Sequence, residues 1–467
     1  MSVRVLRTRL SRLVCPRVCL FPHRIWLPVS RLAMRLWLVG LVAGGSITAC
    51  SGAWAQTMTS GAATGSDRMS DLPLVTLVER YLATTDRMQA EPLLQAILAH
   101  AGASLDRVSH LLRSYRPYGP AAVGMLPGQP VQVRGKTLSY GLFVPRAHDA
   151  DVALPLVVCL HGAGFTGDAY LERWASRLGD NVILACPTFT MGAWWTRIAE
   201  DLVLATINDV RATYRIDPDR IYLTGMSNGG IGAWIIGMHH APLFAAVAPM
   251  AGGIDDVLFP FLANLRQTPV YVIHGSQDAI MPVHLSRAIT SELTRLGIAH
   301  TYREHDRSHP HAGGHFFPRQ ELPALLKWLG KQRRHPYPQR VTVVRDASHL
   351  EAFGWVRIDA TDRIAMFSER MVDHVDALIQ NRVYASLDAT ITRPNHIDVQ
   401  VTRVRRYTLL LNESLVDFSQ PLTVVTNGRT TFDGQVSPHV EVLLREARRR
   451  GNADRLFPAR LTMDVPS

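Results

Sequence analysis

The sequence is poor in cysteine, which excludes a disulfide-stapled scaffold as the basis of its fold. It has 5 cysteines in 467 residues, and Cys15, Cys19 and Cys50 lie near the start. The other two, Cys159 and Cys186, each lie inside an apolar run typical of a buried strand. An oxidising compartment could link them, but two buried free thiols are the simpler prediction.

Strong positive charge is also scarce once the start of the chain is set aside. The formal net charge is +11, but the first 35 residues hold eight arginines and no acidic residue, which leaves about +3. A second basic cluster, Arg445 with Arg448, Arg449 and Arg450, lies in a helix-like stretch and is expected to be a solvated face. With no nucleic-acid-binding motif in the sequence, we expect no nucleic-acid partner.

The chain lacks an apolar run long enough for a clear membrane span, and its start predicts export instead. The run LWLVGLVAGG follows two arginines and leads to small residues ending in AWAQ, a signal-peptide pattern with Gln56 as the first mature residue. ITAC, residues 47–50, resembles a lipobox, which would leave a lipid-bearing Cys50 as the only membrane contact. An uncleaved anchor is a third interpretation, and a start at Met34 would give a leader of ordinary length.

Composition and periodicity divide the chain into four predicted parts. Residues 1–55 are the leader, and residues 56–125 hold a Ser, Gly, Ala and Thr rich linker and then a helical segment. Residues 126–337 alternate apolar strands with helices, which predicts a mostly parallel sheet covered on both faces. Residues 338–467 switch to short alternating runs with polar turns, which predicts a β-rich domain without an internal repeat. The predicted fold class is α/β, with these two additions.

The stretch IYLTGMSNGG, residues 221–230, places Ser227 between Gly225 and Gly229 at the end of a predicted buried strand. The GxSxG pattern alone is weak, and a plain turn is the alternative. Here the motif follows an apolar strand and precedes a helix, as a nucleophile elbow requires. A side chain at either glycine would crowd so tight a turn. We therefore predict that Ser227 is a nucleophile.

A serine hydroxyl needs a base to take its proton, and the base needs a carboxylate to orient it. Asp278 comes directly after the predicted strand PVYVIHG, the second strand beyond the elbow, and is the predicted carboxylate. Asp255 and Asp256, one strand earlier, are the alternatives. The chain order serine, aspartate, histidine is that of the α/β-hydrolases.

The stretch RSHPHAGGHFFP offers several candidates for the base, with His305 close by. We select His315, because two glycines let its loop turn inward and aromatic residues follow it; His311 is the next choice. Together with His309, these histidines could also bind a metal. The segment has no helical or strand register to fix three ligands, so no metal is expected there.

An oxyanion hole is the remaining requirement, and LHGAG, residues 160–164, ends the first predicted parallel strand. The backbone N–H of Ala163 could point to the same centre as that of Asn228, whereas His161 is expected to be structural. Trp194 and Trp195 lie in a loop at the same edge of the sheet. We predict that one of them lines a substrate pocket, with core packing as the alternative.

HGAG, GMSNGG, HGSQDAIMP and GGHFFP, over about residues 130–335, together resemble the polyhydroxybutyrate-depolymerase and feruloyl-esterase-like α/β-hydrolases. The resemblance implies an α/β-hydrolase fold and a serine esterase that acts on a small or polymeric ester through an acyl-enzyme, without metal or organic cofactor. A prolyl-oligopeptidase-type peptidase is the nearest alternative, disfavoured because no propeller-like blades precede the motifs. A non-catalytic binding protein that acts through the β-rich tail is the second alternative.

Overall fold

The computed structural model describes residues 72–84, 86–114, 118–367, 376–451 and 454–466. These residues belong to one compact unit. The predicted leader, with Cys50 and Gln56, and the whole predicted linker, residues 57–70, lie outside the described residues. Among the described helices, none combines the length and the apolar character needed to cross a membrane.

Within the described residues, three helices precede the first strand, as the helical spacing from Leu72 to about residue 115 predicts. They are α1 (Leu74–Ala83), α2 (Arg87–Ala99) and α3 (Leu105–Ser114). Asp86 caps α2 by accepting a hydrogen bond from the Met88 N–H, and the buried residues of all three helices form one apolar cluster.

An eight-stranded sheet occupies the centre of the molecule. Its strands are β1 (Gly124–Val133), β2 (Lys136–Val144), β3 (Leu154–Leu160), β4 (Ile183–Thr188), β5 (Ile216–Met226), β6 (Ala246–Met250), β7 (Val270–Gly275) and β8 (His300–His305). Their order across the sheet is β1-β2-β4-β3-β5-β6-β7-β8. β2 pairs antiparallel with β1 and with β4, and the other pairs are parallel.

Helices cover both faces of this sheet. They are α4 (Gly167–Leu178), α5 (Arg197–Thr213), α6 (Asn228–His239), α7 (Val283–Arg295) and α8 (Leu322–Leu329). Alternate residues of β3 point to opposite faces: Val158 packs in the cluster that includes α5, α6 and α7, and Val157 in the cluster that includes α4 and α8. The topology and the two-sided burial confirm the predicted α/β-hydrolase fold. The two cysteines after the leader, Cys159 and Cys186, are buried free thiols, as the simpler prediction states.

The C-terminal region is β-rich, as predicted, and contains two sheets. Its elements are β9 (Arg340–Arg345), β10 (Val356–Thr361), α9 (Ala377–Gln380), β11 (Ala385–Arg393), β12 (His396–Thr402), β13 (Val404–Leu411), β14 (Leu422–Thr426), β15 (Arg429–Gly434), α10 (Val440–Arg450) and β16 (Ala459–Asp464). One sheet has the order β15-β14-β12-β11-β9 and the other β10-β13-β16. Its aromatic residues Phe353, Trp355, Tyr384 and Tyr407 are buried and pack in the core.

The C-terminal region is joined to the central sheet region by buried polar contacts. The Asn264 amide accepts from the Val344 N–H at 2.6 Å and donates to the Val344 carbonyl at 3.1 Å. The Tyr384 hydroxyl donates to the carbonyl of Val257 at 2.9 Å. One apolar core runs through both regions. The architecture changes near residue 338, the predicted boundary, but the core continues across it.

The last helix, α10, packs its apolar face on the N-terminal helices. Its arginines make specific contacts there: Arg445 pairs with Glu91 at 2.8 Å, and Arg448 donates to the carbonyl of Thr84 at 2.9 Å. Arg450 donates to the carbonyl of Gly354, and burial lowers its pKa to about 10. The expected solvated basic face is therefore corrected in part: Arg445 and Arg448 join α10 to the N-terminal helices and Arg450 is packed near Gly354, whereas Arg449 is exposed.

Candidate active site

Ser227 connects β5 to α6 in a backbone conformation that few side-chain-bearing residues adopt. Its φ is 59° and its ψ is −122°, and a positive φ is uncommon outside glycine. The Ser227 N–H donates to the carbonyl of Met250 at 3.0 Å, and its carbonyl accepts from the Ile231 N–H at 3.0 Å. The surrounding chain therefore holds the strained turn in place.

The two glycines around Ser227 are required by close backbone contacts. A Cβ on Gly225 would lie 2.3 Å from the carbonyl oxygen of Gly229. A Cβ on Gly229 would lie 2.1 Å from the carbonyl oxygen of Leu160. Neither approach leaves room for a methyl group, so the glycines let α6 begin directly against the end of β3.

His315 lies between Ser227 and Asp278. Its Nε2 is 3.0 Å from the Ser227 Oγ, and its Nδ1 is 2.8 Å from the Asp278 Oδ2. The Asp278 side chain is fully buried, and that of His315 is 9% exposed. The structure thus brings the three predicted residues together in the order hydroxyl, imidazole, carboxylate, with the distances of a hydrogen-bonded relay.

Gly313 and Gly314 bring the histidine loop against the loop that carries Asp278. Gly313 has a φ of +55°, and a Cβ there would lie 2.0 Å from the carbonyl oxygen of Gln277. The N–H of Gly314 donates to the same carbonyl at 2.8 Å. The two glycines therefore have the turning role that the sequence predicts.

The Asp278 carboxylate has more partners than His315 alone. Its Oδ1 accepts from the N–H groups of Ile280 at 2.9 Å and Met281 at 2.7 Å, and its Oδ2 lies 3.3 Å from the His274 Nε2. Burial raises the pKa of Asp278, but the hydrogen bonds from His274 and His315 outweigh burial and hold that pKa well below its usual value. Asp278 is therefore ionised and fixed in orientation.

His274 is a site residue that the sequence analysis missed. It ends the apolar strand β7, where periodicity predicts only core packing. Its ring is buried, with Nδ1 2.6 Å from the Ser286 hydroxyl and Nε2 2.9 Å from the Met281 carbonyl. Its place four residues before Asp278, at the carboxyl end of a strand, is the signal that could have identified it.

The LHGAG loop passes directly beside the serine. A Cβ on Gly162 would lie 3.4 Å from the Ser227 Cβ. Gly162 to Phe165 form a turn closed by a 3.3 Å bond from the Phe165 N–H to the Gly162 carbonyl, and Gly164 has a φ of 76°, as in a type II turn. Asn228 is the first residue of α6, and its side chain donates to the Met191 carbonyl at 3.0 Å. The oxyanion-binding roles of Ala163 and Asn228 stay predictions.

Trp194 and Trp195 have different environments. Trp194 is 0% exposed and donates its indole N–H to the carbonyl of His161 at 2.8 Å. Its prediction as a pocket residue is therefore corrected, because it packs beneath the loop rather than on a surface. Trp195 is half-buried, and its role in substrate binding stays a prediction.

His161 is a buried structural residue, as expected. Its Nε2 accepts from the Phe189 N–H at 3.1 Å, so its Nδ1 donates to the Gly162 carbonyl at 2.8 Å. Burial lowers the pKa of His161, which favours this neutral ring. His161 thus links the loops that follow β3 and β4.

The alternative candidates are engaged elsewhere or exposed. Asp255 caps the following 3₁₀ segment by accepting from the Val257 N–H, and Asp256 pairs with Arg382 at 2.9 Å. His309 and His311 are exposed, and neither shares a hydrogen bond with Ser227 or Asp278 in the described structure. His305 is buried at the end of β8, beside Phe316.

Apolar side chains are exposed on the three loops that carry the site. Phe165 follows the LHGAG turn and is 42% exposed, Met191 accepts from Asn228 and is 59% exposed, and Ile280 donates to Asp278 and is 46% exposed. We call these three residues the apolar rim.

The chain is similar to two proteins named as esterases and one named as a depolymerase, although no family model matches it. It is 25% identical over 236 residues to NocK of Nocardia uniformis subsp. tsuyamanensis, a protein named as an esterase. The aligned residues cover 47% of this chain and 66% of that protein. It is 30% identical over 115 residues to poly(3-hydroxyalkanoate) depolymerase C of Paucimonas lemoignei, over 21% of this chain and 28% of that protein. It is 27% identical over 157 residues to a protein named feruloyl esterase C of Aspergillus terreus, over 31% of this chain and 56% of that protein. The chain thus spans less than two thirds of the length of each of these relatives.

Proposed function

We propose that this chain, a member of the α/β-hydrolase superfamily, hydrolyses carboxylic esters with Ser227 as nucleophile, His315 as base and Asp278 as orienting carboxylate. The observation that carries the proposal is the relay with separations of 3.0 Å from Ser227 to His315 and 2.8 Å from His315 to Asp278. The similarity to proteins named as esterases supports an ester as substrate.

The first half-reaction forms an acyl-enzyme. His315 takes the proton of the Ser227 hydroxyl as the oxygen attacks the ester carbonyl, and then gives that proton to the leaving alcohol. Asp278 keeps the imidazole in the correct tautomer and stabilises its positive charge. In the second half-reaction water attacks the acyl-enzyme, and His315 again takes and returns a proton, which releases the acid and free Ser227.

The negative charge that develops on the carbonyl oxygen needs preorganised donors. The N–H of Asn228 opens α6, where the positive end of the helix dipole also favours an anion. The N–H of Ala163 lies in the turn beside Ser227. We assign both groups to the oxyanion hole, where each such donor contributes several kcal/mol to the stability of the transition state.

The substrate is an ester with an apolar part. Phe165, Met191 and Ile280 have exposed side chains on three loops next to site residues, and we infer that they bury an acyl or aromatic group of the substrate. Two relatives are named for a hydroxyalkanoate polymer and for feruloyl esters. Either substrate presents apolar surface next to the scissile ester.

The two alternatives gain no support from the described residues. A prolyl-oligopeptidase-type enzyme carries a propeller of strands, whereas the described residues before the central sheet form helices α1 to α3. A binding protein that acts only through the β-rich tail does not require the hydrogen-bonded arrangement of Ser227, His315 and Asp278, so this arrangement favours an enzyme.

The decisive experiment is a substrate screen with the purified chain beside its Ser227→Ala variant. Short-chain nitrophenyl esters, feruloyl esters, a hydroxyalkanoate polymer and peptide amides would be compared, and a fluorophosphonate probe would test the serine. We expect ester turnover and labelling in the wild type, and loss of both in Ser227→Ala. Equal ester turnover in the two proteins would refute the proposal, and preferential amide cleavage would favour the peptidase.

We also propose that the protein is exported, from the leader-like start of the sequence. Mass spectrometry of the N-terminus after expression in a bacterium with a signal peptidase provides the test. A start at Gln56 supports soluble export, and a lipid-bearing Cys50 supports a membrane-anchored form. A chain that keeps its leader inside the cell contradicts both.

A further inference from the structure

A buried cluster of histidines and carboxylates lies where the central sheet region meets the C-terminal region. Glu200 is on α5, His239 ends α6, and Asp346 and His349 follow β9. Glu200 and His239 are each 4% exposed, and His349 is 2% exposed. His239 is twelve residues along the helix from Ser227, or about 18 Å, so ester hydrolysis makes no use of this cluster.

We propose that Glu200, His239 and His349 bind a divalent transition-metal ion of the zinc class. One ligand atom from each residue lies within 4.8 Å of those of the other two. The Glu200 Oε2 is 3.2 Å from the His349 Nε2, and the Oε1 is 3.4 Å from the His239 Nδ1. Two ligands of a tetrahedral Zn²⁺ lie about 3.3 Å apart, and each histidine nitrogen is at about this distance from one of the two carboxylate oxygens. Two histidines and one glutamate are also a ligand set that zinc accepts.

The His239 Nδ1 is a second, independent indication of a ligand. This atom is buried and makes no hydrogen bond of normal geometry among the described residues, although the Glu200 Oε1 lies 3.4 Å away; a buried polar atom without a hydrogen bond is costly. A cation beside Glu200 would satisfy this nitrogen.

The groups around the three ligands are arranged as in metal sites. The His349 Nδ1 lies 2.5 Å from the Asp346 Oδ1, which orients the ring so that Nε2 faces Glu200. A metal-binding histidine almost always donates its other N–H to a carboxylate or carbonyl in this way. His240 places its Nε2 2.5 Å from the Glu200 Oε1, which fixes the carboxylate.

A proton is the competing occupant of this space. Burial lowers the pKa of His349, but its hydrogen bonds to Asp346 and Glu200 outweigh burial and raise that pKa to about 9. Two arginines also face the cluster: an Arg197 nitrogen lies 3.6 Å from the Glu200 Oε2, and Arg345 donates to the His239 carbonyl at 2.9 Å. A metal must therefore displace the proton of His349, and the test has to separate the two occupants.

The role of such a metal would be structural. Glu200 and His239 belong to helices of the central sheet region, and His349 belongs to the segment that follows β9. A shared cation would tie these segments together. Because only the folded chain brings them to one place, metal binding would stabilise the native state by mass action.

The test is metal binding by the full-length, tag-free chain after removal of metals with a chelator. Zn²⁺ would be titrated by calorimetry, Co²⁺ would report ligand type by its absorption bands, and thermal unfolding would be recorded with Zn²⁺, with Mg²⁺ and with EDTA. The variants are Glu200→Gln and His349→Ala. His110→Ala removes an exposed histidine of α3 and is the matched control.

We expect one equivalent of Zn²⁺ per chain, a Co²⁺ spectrum of nitrogen and oxygen ligands, and a melting temperature several degrees higher with Zn²⁺ than with Mg²⁺ or EDTA. Glu200→Gln and His349→Ala should each weaken binding by at least about 100-fold, and His110→Ala should leave it unchanged. Ester turnover should stay within about twofold on Zn²⁺ addition, since the site is remote. If the variants do not fold, the stoichiometry, the Co²⁺ spectrum and the shift in melting temperature of the wild type still show whether the chain binds a metal ion with nitrogen and oxygen ligands. No saturable binding by the wild type, or equal binding by all four proteins, would overturn the proposal and leave the proton as the occupant.

Discussion

The indole N–H of Trp194 donates a 2.8 Å hydrogen bond to the carbonyl oxygen of His161. His161 directly precedes Gly162 and Ala163, so this bond fixes the backbone from which the proposed oxyanion loop departs. The His161 ring continues the link to the Gly162 carbonyl and the Phe189 N–H. A buried tryptophan therefore holds the start of this loop against the end of β3.

Trp194→Phe is expected to loosen this loop. The substitution keeps an aromatic ring but leaves the buried His161 carbonyl unpaired, so the free energy of unfolding should fall by about 1–3 kcal/mol. Misplacement of the loop should also lower kcat by about tenfold or more. Trp328→Phe is the control, because Trp328 is a half-buried tryptophan on α8, which carries no site residue. Urea unfolding and ester kinetics give the comparison, and equal losses in the two variants would argue against the specific bond.

Ala163→Pro tests the proposed oxyanion donor without a gross change of fold. Ala163 is the second residue of the Gly162–Phe165 turn, a position that proline favours in a type II turn, and proline has no N–H. We expect native-like stability and a kcat lower by about 100- to 1,000-fold. Ala163→Ser retains the N–H and should keep nearly full activity. A Pro variant that turns over ester as fast as the Ser variant would remove Ala163 from the oxyanion hole.

His315→Ala and His311→Ala separate the two candidate bases. His315 lies 3.0 Å from the Ser227 Oγ, whereas His311 is exposed. Loss of His315 should lower kcat by about 10⁴-fold or more, with little change in KM. Loss of His311 should change kcat by less than about twofold. Full ester turnover by His315→Ala, measured with a nitrophenyl ester, would require another base.

Much of the candidate site could be predicted because its residues follow parallel strands directly. Ser227 follows β5 and Asp278 follows β7, and the carboxyl ends of parallel strands meet at one edge of the sheet. The glycines before His315 likewise indicate a close approach, since only glycine fits there. Such local patterns can be recognised in the sequence because each reflects a backbone requirement at a single position, such as a tight turn or a close contact.

Other features depend on contacts between distant segments, which local patterns do not record. Glu200, His239 and His349 have no motif spacing, because α5, α6 and the segment after β9 bring them together only in the folded chain. The same holds for Arg445 and Glu91, which join α10 to α2. The sequence also did not show which of Trp194 and Trp195 packs inward, because adjacent loop residues give no sign of which ring faces the core.

The apolar rim is expected to contribute to substrate binding. Met191→Ser and Ile280→Ser replace exposed apolar side chains with polar ones, and each should lower kcat/KM for an ester with a long acyl chain by about tenfold. Turnover of an acetate ester should change little, because its short acyl group offers little apolar surface to bury. Met88→Ser is the control, since Met88 is 81% exposed on α2. Equal effects on both esters would contradict a role in acyl binding.

Gly229→Ala is expected to disrupt the fold at the point where α6 begins. The added methyl would lie 2.1 Å from the carbonyl oxygen of Leu160 and 3.0 Å from that of His161. Because both obstacles are backbone atoms, the helix must move away from β3, and the free energy of unfolding should fall by at least about 2 kcal/mol. Ester turnover should fall as well, since the displacement carries Asn228 and Ser227 with it.

The matched control for this substitution is Gly119→Ala. Gly119 is exposed, and a Cβ there would meet no atom within 4 Å. Its stability should change by no more than about 1 kcal/mol, because the substitution acts mainly on the entropy of the unfolded chain. Urea unfolding of both variants provides the measurement. If Gly229→Ala were as stable and as active as Gly119→Ala, the contact between α6 and the end of β3 would not be the constraint that selects glycine in the GxSxG motif.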